Sequence, residues 1–205
     1  MNSKILIENQ YFGCIYYYLS LFKYSNIEIE SCEWYQKMSF RNRCILYGSN
    51  GLITLSVPLE DGRNQRRLIK DVKIDYSAPW HQRHWKSIQS VYGKSPFFEY
   101  YASPLKGLLE KKQIFLFDLN TEIFYWLKKI LKIEGEISFS ETYQKDVLAG
   151  VVDYRNKWLP KNFQEEKSRF NYPQPFEEHL GFQHNLSILD FLFNEGPYLS
   201  ALRDS

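Results

Sequence analysis

KILIENQYFGCIYYYLSLFKYSNIEIE, the stretch from Lys4 to Glu30, changes its periodicity twice within one short span. Lys4 to Ile7 is an apolar run that stops before a turn at Gly13. From Ile15 to Tyr24, rings and leucines recur at helical spacing. From Asn26 to Ser31, Ile27 and Ile29 alternate with Glu28 and Glu30, the period of two that marks a strand. Strand, turn, helix and strand is the simplest reading, and alternating strands and helices point to α/β packing.

The same reading extends outward. Arg43–Tyr47 and Leu52–Val57 flank Gly48-Ser49-Asn50-Gly51, and Asn-Gly tolerates the positive φ of a tight hairpin. A strand is expected over Val72–Tyr76. Ser77 is placed to cap a helix over Trp80–Tyr92 with Pro79 in its first turn, ending at Gly93, and Ser95-Pro96 restarts the chain. Gln113–Phe117 has the character of a buried strand. Asn120 then caps a helix with Ile123, Trp126, Leu127, Ile130 and Leu131 on one face. Asp146 to Pro175 turns polar and irregular, as a long flap would. Asn185 to Pro197 is an apolar helix started by Ser187 and stopped by Gly196-Pro197. At 205 residues the chain is below the roughly 250 at which cores divide. The expectation is one domain over residues 1–205: α/β, a mixed sheet with packed helices and a long irregular C-terminal flap.

Composition narrows the function. A formal net charge of +2 is far from the concentrated basic face that nucleic acid demands. The three cysteines, Cys14, Cys32 and Cys44, show no paired spacing, which fits reduced thiols rather than a disulfide framework. The apolar stretch Cys14–Phe22 is too short to span a bilayer and lacks the flanks of a signal peptide, so no membrane insertion and a cytoplasmic location are expected. Aromatic residues make up 18% of the chain. They suit a core, and tyrosine with its polar tip also suits a cleft for sugar rings.

GxxxxGK[ST], GxGxxG, GxSxG, HExxH and the calcium-loop pattern are all absent. His81 and His84 stand three apart but have no companion ligand nearby, so neither metal nor cofactor is implied. The loop Glu60–Arg67 either clamps a phosphate or is a solvated charge run. Two segments carry polar residues among apolar ones, Tyr35–Cys44 and Trp80–Trp85. Of Arg41 and Arg43, one guanidinium is expected to face a cleft and hold an anion bidentately; the other reading is a pair with a buried Glu28, Glu30 or Glu33. His84, between Trp80 and Ile88 on one helical stripe, is either a general base or a satisfied core histidine.

Taken in order, the run Tyr35–Cys44 with its RNRC end, Asn50-Gly51, LSVP at Leu55–Pro58, IKDVKI at Ile69–Ile74, WHQRHWKSIQSVYGKSPFFEYY at Trp80–Tyr101, FDLN at Phe117–Asn120 and NLSILDFLFNEGP at Asn185–Pro197 resemble the WbqC-like family of bacterial proteins across nearly the whole chain. One departure stands out. Many members read HQPxYLPWxGYF or a YFPP variant after the first strand, whereas this chain reads Asn9-Gln10-Tyr11-Phe12-Gly13-Cys14, without the His and the prolines. The resemblance implies a bacterial cytoplasmic protein of surface-polysaccharide (O-antigen-type) biosynthesis. Its implied reaction is acyl or aminoacyl transfer to a nucleotide-linked amino sugar. On that view His84 is the base, Arg41 and Arg43 contact the anion, Tyr11 and Asn42 hold polar groups of the sugar, and Trp80, Trp85 and Tyr92 shape the pocket. Asn185 and Asp190 are within reach of such a site. The rival reading is a noncatalytic sugar-binding or scaffold subunit with a protein partner in glycan assembly. A nucleotidyltransferase-like reading lacks its His pair.

Overall fold

The computed structural model describes residues 3–166 and 170–202, so 167–169 of the expected flap lie outside the described residues. Four strands, β1 (Lys4–Glu8), β2 (Asn26–Glu30), β5 (Glu136–Phe139) and β6 (Val151–Asp153), form a parallel sheet in the order β5-β2-β1-β6. The helix α1 (Ile15–Leu21) makes the crossover from β1 to β2. In register, Ile5 lies beside Ile27 and Ile7 beside Ile29, and all four are completely buried. The alternate positions Leu6, Glu28 and Ser138 share the opposite face, where Lys4 Nζ reaches Glu28 Oε2 at 3.0 Å. This division follows from the two-residue period of a strand.

β3 (Arg43–Gly48) and β4 (Gly51–Ser56) form a separate antiparallel hairpin, with Gly51 at a φ of 104°. α2 (Trp80–Tyr92) and α6 (Ile188–Glu195) occupy the expected spans. Ser187 caps α6 by accepting from Leu189 N, and its Oγ donates to Phe12 O at 2.8 Å. The C-terminal helix is thereby tied to the first loop. α4 (Leu116–Leu131) packs Phe124 on Tyr18 of α1, with ring centroids 6.3 Å apart.

The structure corrects several local expectations. Gln113–Phe117 is not a strand: Phe115 makes one bridge to Lys73, and α4 begins at Leu116. Leu116, Leu119 and Ile123 already carry the helical stripe, and a short apolar run does not separate the two periods. Asn120 therefore lies inside α4, fully buried. Val72–Tyr76 is reduced to bridges at Lys73 and Ile74 after a 3₁₀ turn at Ile69–Asp71. Ser77 bonds to Asp75, and Pro79 takes the cap position of α2. The restart at Ser95-Pro96 leads into α3 (Phe98–Glu110). Within Asp146–Pro175 the short strand β6 pairs with β1, and α5 (Glu177–Leu180) follows that segment. The loop Glu60–Arg67 is exposed and closed by an Arg67–Asp61 pair at 2.6 Å.

Candidate functional site

In an open parallel sheet, the crevice lies outside the carboxyl ends of the strands, where the chain order reverses. Here that point falls between β1, whose crossover leads to β2 on one side, and β6 on its other side. The residues that end β1 and β2 are charged and buried. Glu8 and Glu30 are each 1% exposed. Glu8 Oε1 accepts from Gln10 Nε2 at 2.8 Å, and its Oε2 accepts from Asn156 N at 2.9 Å. Arg41 Nη1 donates to Asn156 Oδ1 at 2.9 Å, while its Nε and Nη2 hold Glu33 at 2.6 and 2.5 Å. Burial works against the Arg41 charge, but Glu33 and then Glu8 outweigh it and hold its pKa above the ordinary arginine value. Burial likewise pulls Glu33 above the usual carboxylate range, with Arg41 opposing.

The other half of the cluster is built around Glu30. Its Oε1 accepts from Ser140 Oγ at 2.5 Å and Cys32 N at 2.9 Å, and its Oε2 from Arg155 Nη1 at 3.0 Å. Arg155 also grips Asp153 through Nε and Nη2 at 3.0 and 2.8 Å. The carboxylates Glu8, Glu30, Glu33 and Asp153 thus outnumber the guanidiniums Arg41 and Arg155 in this network, and the site favours donors and cations over anions. The first loop adds amide oxygens. Gln10 lies against Gly13, where a Cβ would come within 2.4 Å of Gln10 Oε1. Gln10 Oε1, Asn9 Oδ1 and Asn120 Oδ1 are buried acceptors without a hydrogen-bond partner among the described residues.

Glu30, though buried, lies at the inner wall of a groove. This groove, of about 450 Å³, runs between the polar face of the sheet and the segment after β5, lined by Lys4, Glu28, Glu30, Ser138, Ser140, Glu141, Thr142 and Gln144 with apolar Leu6 and Leu148. Carboxylates, hydroxyls and a carboxamide line its walls, and it ends on the buried strand-end network.

The residues singled out in the sequence fall into separate groups. Arg41 belongs to the strand-end network, in the carboxylate pair that the sequence offered as its other reading. Asn42 donates to Val57 O at 2.9 Å and accepts from Tyr35 Oη at 3.2 Å. Arg43 is half-buried, with Nη1 3.7 Å from Met38 Sδ. Tyr11 Oη meets His84 Nδ1 at 2.8 Å, and Trp80 packs on both rings. His84 also bonds to the Ser56 carbonyl, and burial pushes its pKa down to about 4. A neutral ring that donates through Nε2 and accepts Tyr11 O–H at Nδ1 satisfies both contacts. Trp85 stacks on Phe98. Tyr92 donates to Asp190 Oδ1 at 2.8 Å, and Tyr172 and Gln174 hold Asp190 Oδ2 at 2.7 and 3.0 Å. Asn185 accepts from Tyr16 N at 2.8 Å. The structure therefore brings Tyr11, Trp80 and His84 together, and leaves Arg41, Arg43, Trp85 and Tyr92 in other surroundings.

Sequence reading did not single out Glu8, Asn9, Arg155 or Asn156 for the site, and it offered Glu30 and Glu33 only as partners for an arginine. Glu8 and Glu30 had a readable signal, since each is the acidic residue closing an apolar strand at its carboxyl end. Arg155 and Asn156 had none, because β6 is too short to announce itself.

Among the described residues no helix is long and apolar enough to cross a membrane, and no group of three or more His, Cys, Asp or Glu side chains is placed to hold a metal ion. Comparison with curated proteins and with solved structures yields no match. The model of the WbqC-like protein family matches residues 9–160. That span opens on the first loop at the end of β1 and closes just beyond Asn156, so it takes in the strand-end network except Glu8. By this match, over most of its length, the chain belongs to the WbqC-like protein family.

Proposed function

We propose that this protein acts in bacterial surface-polysaccharide biosynthesis, transferring an acyl or aminoacyl group to a nucleotide-linked amino sugar bound in the groove that ends at Glu30. The observation that carries the reading is the groove itself: an open polar channel on the sheet face whose inner end is a buried carboxylate at the carboxyl ends of parallel strands. A sugar amine and its hydroxyls are donors, and Glu28, Glu30, Glu141 and Gln144 place acceptor groups along that wall. Charge-assisted bonds to carboxylates are the strong ones. Three internal bonds hold the buried Glu30 carboxylate at the inner wall, where its charge draws the amine while the accessible Glu28 and Glu141 accept its hydrogen bonds. In the transfer, the neutral amine nitrogen attacks the acyl carbonyl carbon, the bond to the donor's leaving group breaks, and the nitrogen's proton passes to a carboxylate or to solvent. Arg41 supports Glu33 and Asn156 from behind, and His84, whose ring nitrogens are both engaged, holds Tyr11 in the first loop.

The noncatalytic reading has an observation of its own: Arg41, Asn42, His84 and Tyr92 all make internal hydrogen bonds. One experiment separates the two. The protein is incubated with nucleotide-linked amino sugars and acyl-thioester or aminoacyl donors, and products are followed by mass spectrometry. Transfer is expected to add one acyl mass to the sugar and to fall with Glu30→Gln. Saturable sugar binding without any product establishes the noncatalytic role, and absence of binding by every amino sugar removes the groove as the site.

A further inference from the structure

A second groove, distinct from the acidic one, lies between β4 and the start of α2. It has a volume of about 400 Å³ and is lined by Thr54, Leu55, Ser56, Pro58, Ala78, Trp80, Arg83, His84 and Ser87. No acidic side chain lines it, in contrast to the groove at Glu30, which has three. Its surface is mainly apolar, with a few hydrogen-bond donors set in it. Arg83 is exposed and its guanidinium presents a planar fork of N–H groups. Thr54, Ser56 and Ser87 supply hydroxyls. Trp80 is 3% exposed, and its indole Nε1–H is buried without a hydrogen-bond partner among the described residues. Buried donors of this kind are rare and call for a partner. His84 cannot provide one, because its nitrogens are taken by Tyr11 and Ser56. The other walls, Leu55, Pro58, Ala78 and the Trp80 ring, are apolar and suit a flat ring.

We infer that this groove binds the phosphoryl group of a small phosphate ester, with Arg83 and the Trp80 indole N–H as donors and the ester's ring against Leu55 and Pro58. The inference does not depend on the sugar-transfer reading, since small anions test it directly. Arginine and indole donors to an oxyanion give charge-assisted bonds, and a groove of this size is within the range that encloses small ligands.

The test uses the five tryptophan indole N–H signals in a ¹⁵N correlation spectrum, with inorganic phosphate, phenyl phosphate and benzoate as probes. One indole signal, the one missing from Trp80→Phe, is expected to move saturably with phosphate, and to move at lower concentration with phenyl phosphate. Arg83→Gln is expected to weaken phenyl phosphate about tenfold, the loss of one charge-assisted contact. Lys86→Gln, an exposed cation on the same helix but outside the groove, is expected to leave binding unchanged. The proposal is overturned if no indole signal moves, if the moving signal survives Trp80→Phe, or if Lys86→Gln weakens binding as much as Arg83→Gln. Tighter binding of benzoate than of phenyl phosphate overturns the phosphoryl assignment.

Discussion

Replacing Glu33 by Gln removes the partner charge of an arginine whose side chain is 0% exposed, while the carboxylate it loses is itself only 7% exposed. Two short bonds, at 2.6 and 2.5 Å, become at best one, because a carboxamide offers a single acceptor oxygen and turns its NH₂ toward the guanidinium. Breaking a buried pair by removing one partner costs about 3–5 kcal/mol, since an uncompensated charge is left behind. Glu8 acts on the same guanidinium, so the lower end, about 3 kcal/mol, is expected. For a chain of this length each kcal/mol is worth about 2–4 °C in Tm, which puts the loss at about 6–12 °C. Urea unfolding with an unchanged m-value reports the free energy, and a thermal scan reports the shift. Glu33→Leu combined with Arg41→Met leaves neither charge, and is expected to cost less than Glu33→Gln alone, with Glu8 still bonded to Gln10 and Asn156. A loss below about 1 kcal/mol for Glu33→Gln, or a double variant less stable than the single one, would refute the reasoning.

Three further outcomes follow from buried groups. His84 sits at about 4 in the folded protein against about 6.5 unfolded, so the unfolded chain binds the extra proton between those values. Its contribution is complete above about pH 6.5 and lost as pH falls toward 4, about 3 kcal/mol in all, and its ring signals in NMR are expected to stay those of neutral imidazole from pH 8 to 5. Asp190 acts oppositely. Burial raises it to about 6, so the folded state gains protons first and is stabilised as pH falls from about 6 toward the unfolded value near 4; denaturation of Asp190→Asn across that window is expected to expose a steeper acid loss than the wild type shows. Gly196 has a φ of 73° and a Cβ there would lie 2.8 Å from the Phe97 ring, so Gly196→Ala is expected to cost about 1–3 kcal/mol, measured by the urea midpoint.

Much of the architecture was legible where one local rule dominated. The period of two in Asn26–Glu30, the Asn-Gly turn and the Ser187 and Gly196 punctuation of α6 are local signals, and the structure keeps them. The reading failed where context decides. Gln113–Phe117 has the apolar content of a strand, but its stripe continues into α4; Val151–Asp153 becomes a strand only because β1 offers it an edge. The candidate site was legible in part. Arg41 and the two glutamates near it could be named, but their meeting with Asn156 and Arg155, more than a hundred residues away, is a product of the parallel topology. Spacing along the chain could not show it. Nor could it show that His84 and Arg41 lie in different surroundings, since both look alike in sequence: polar residues set among rings.

The most direct test of the central claim is the crystal structure of the protein grown with a nucleotide-linked amino sugar. The expected result is a sugar ring in the groove on the sheet face, with its amine on Glu28 or Glu141 beside the buried Glu30 and its hydroxyls on Thr142 or Gln144. A sugar bound elsewhere, with the groove at Glu30 unchanged, would contradict the claim.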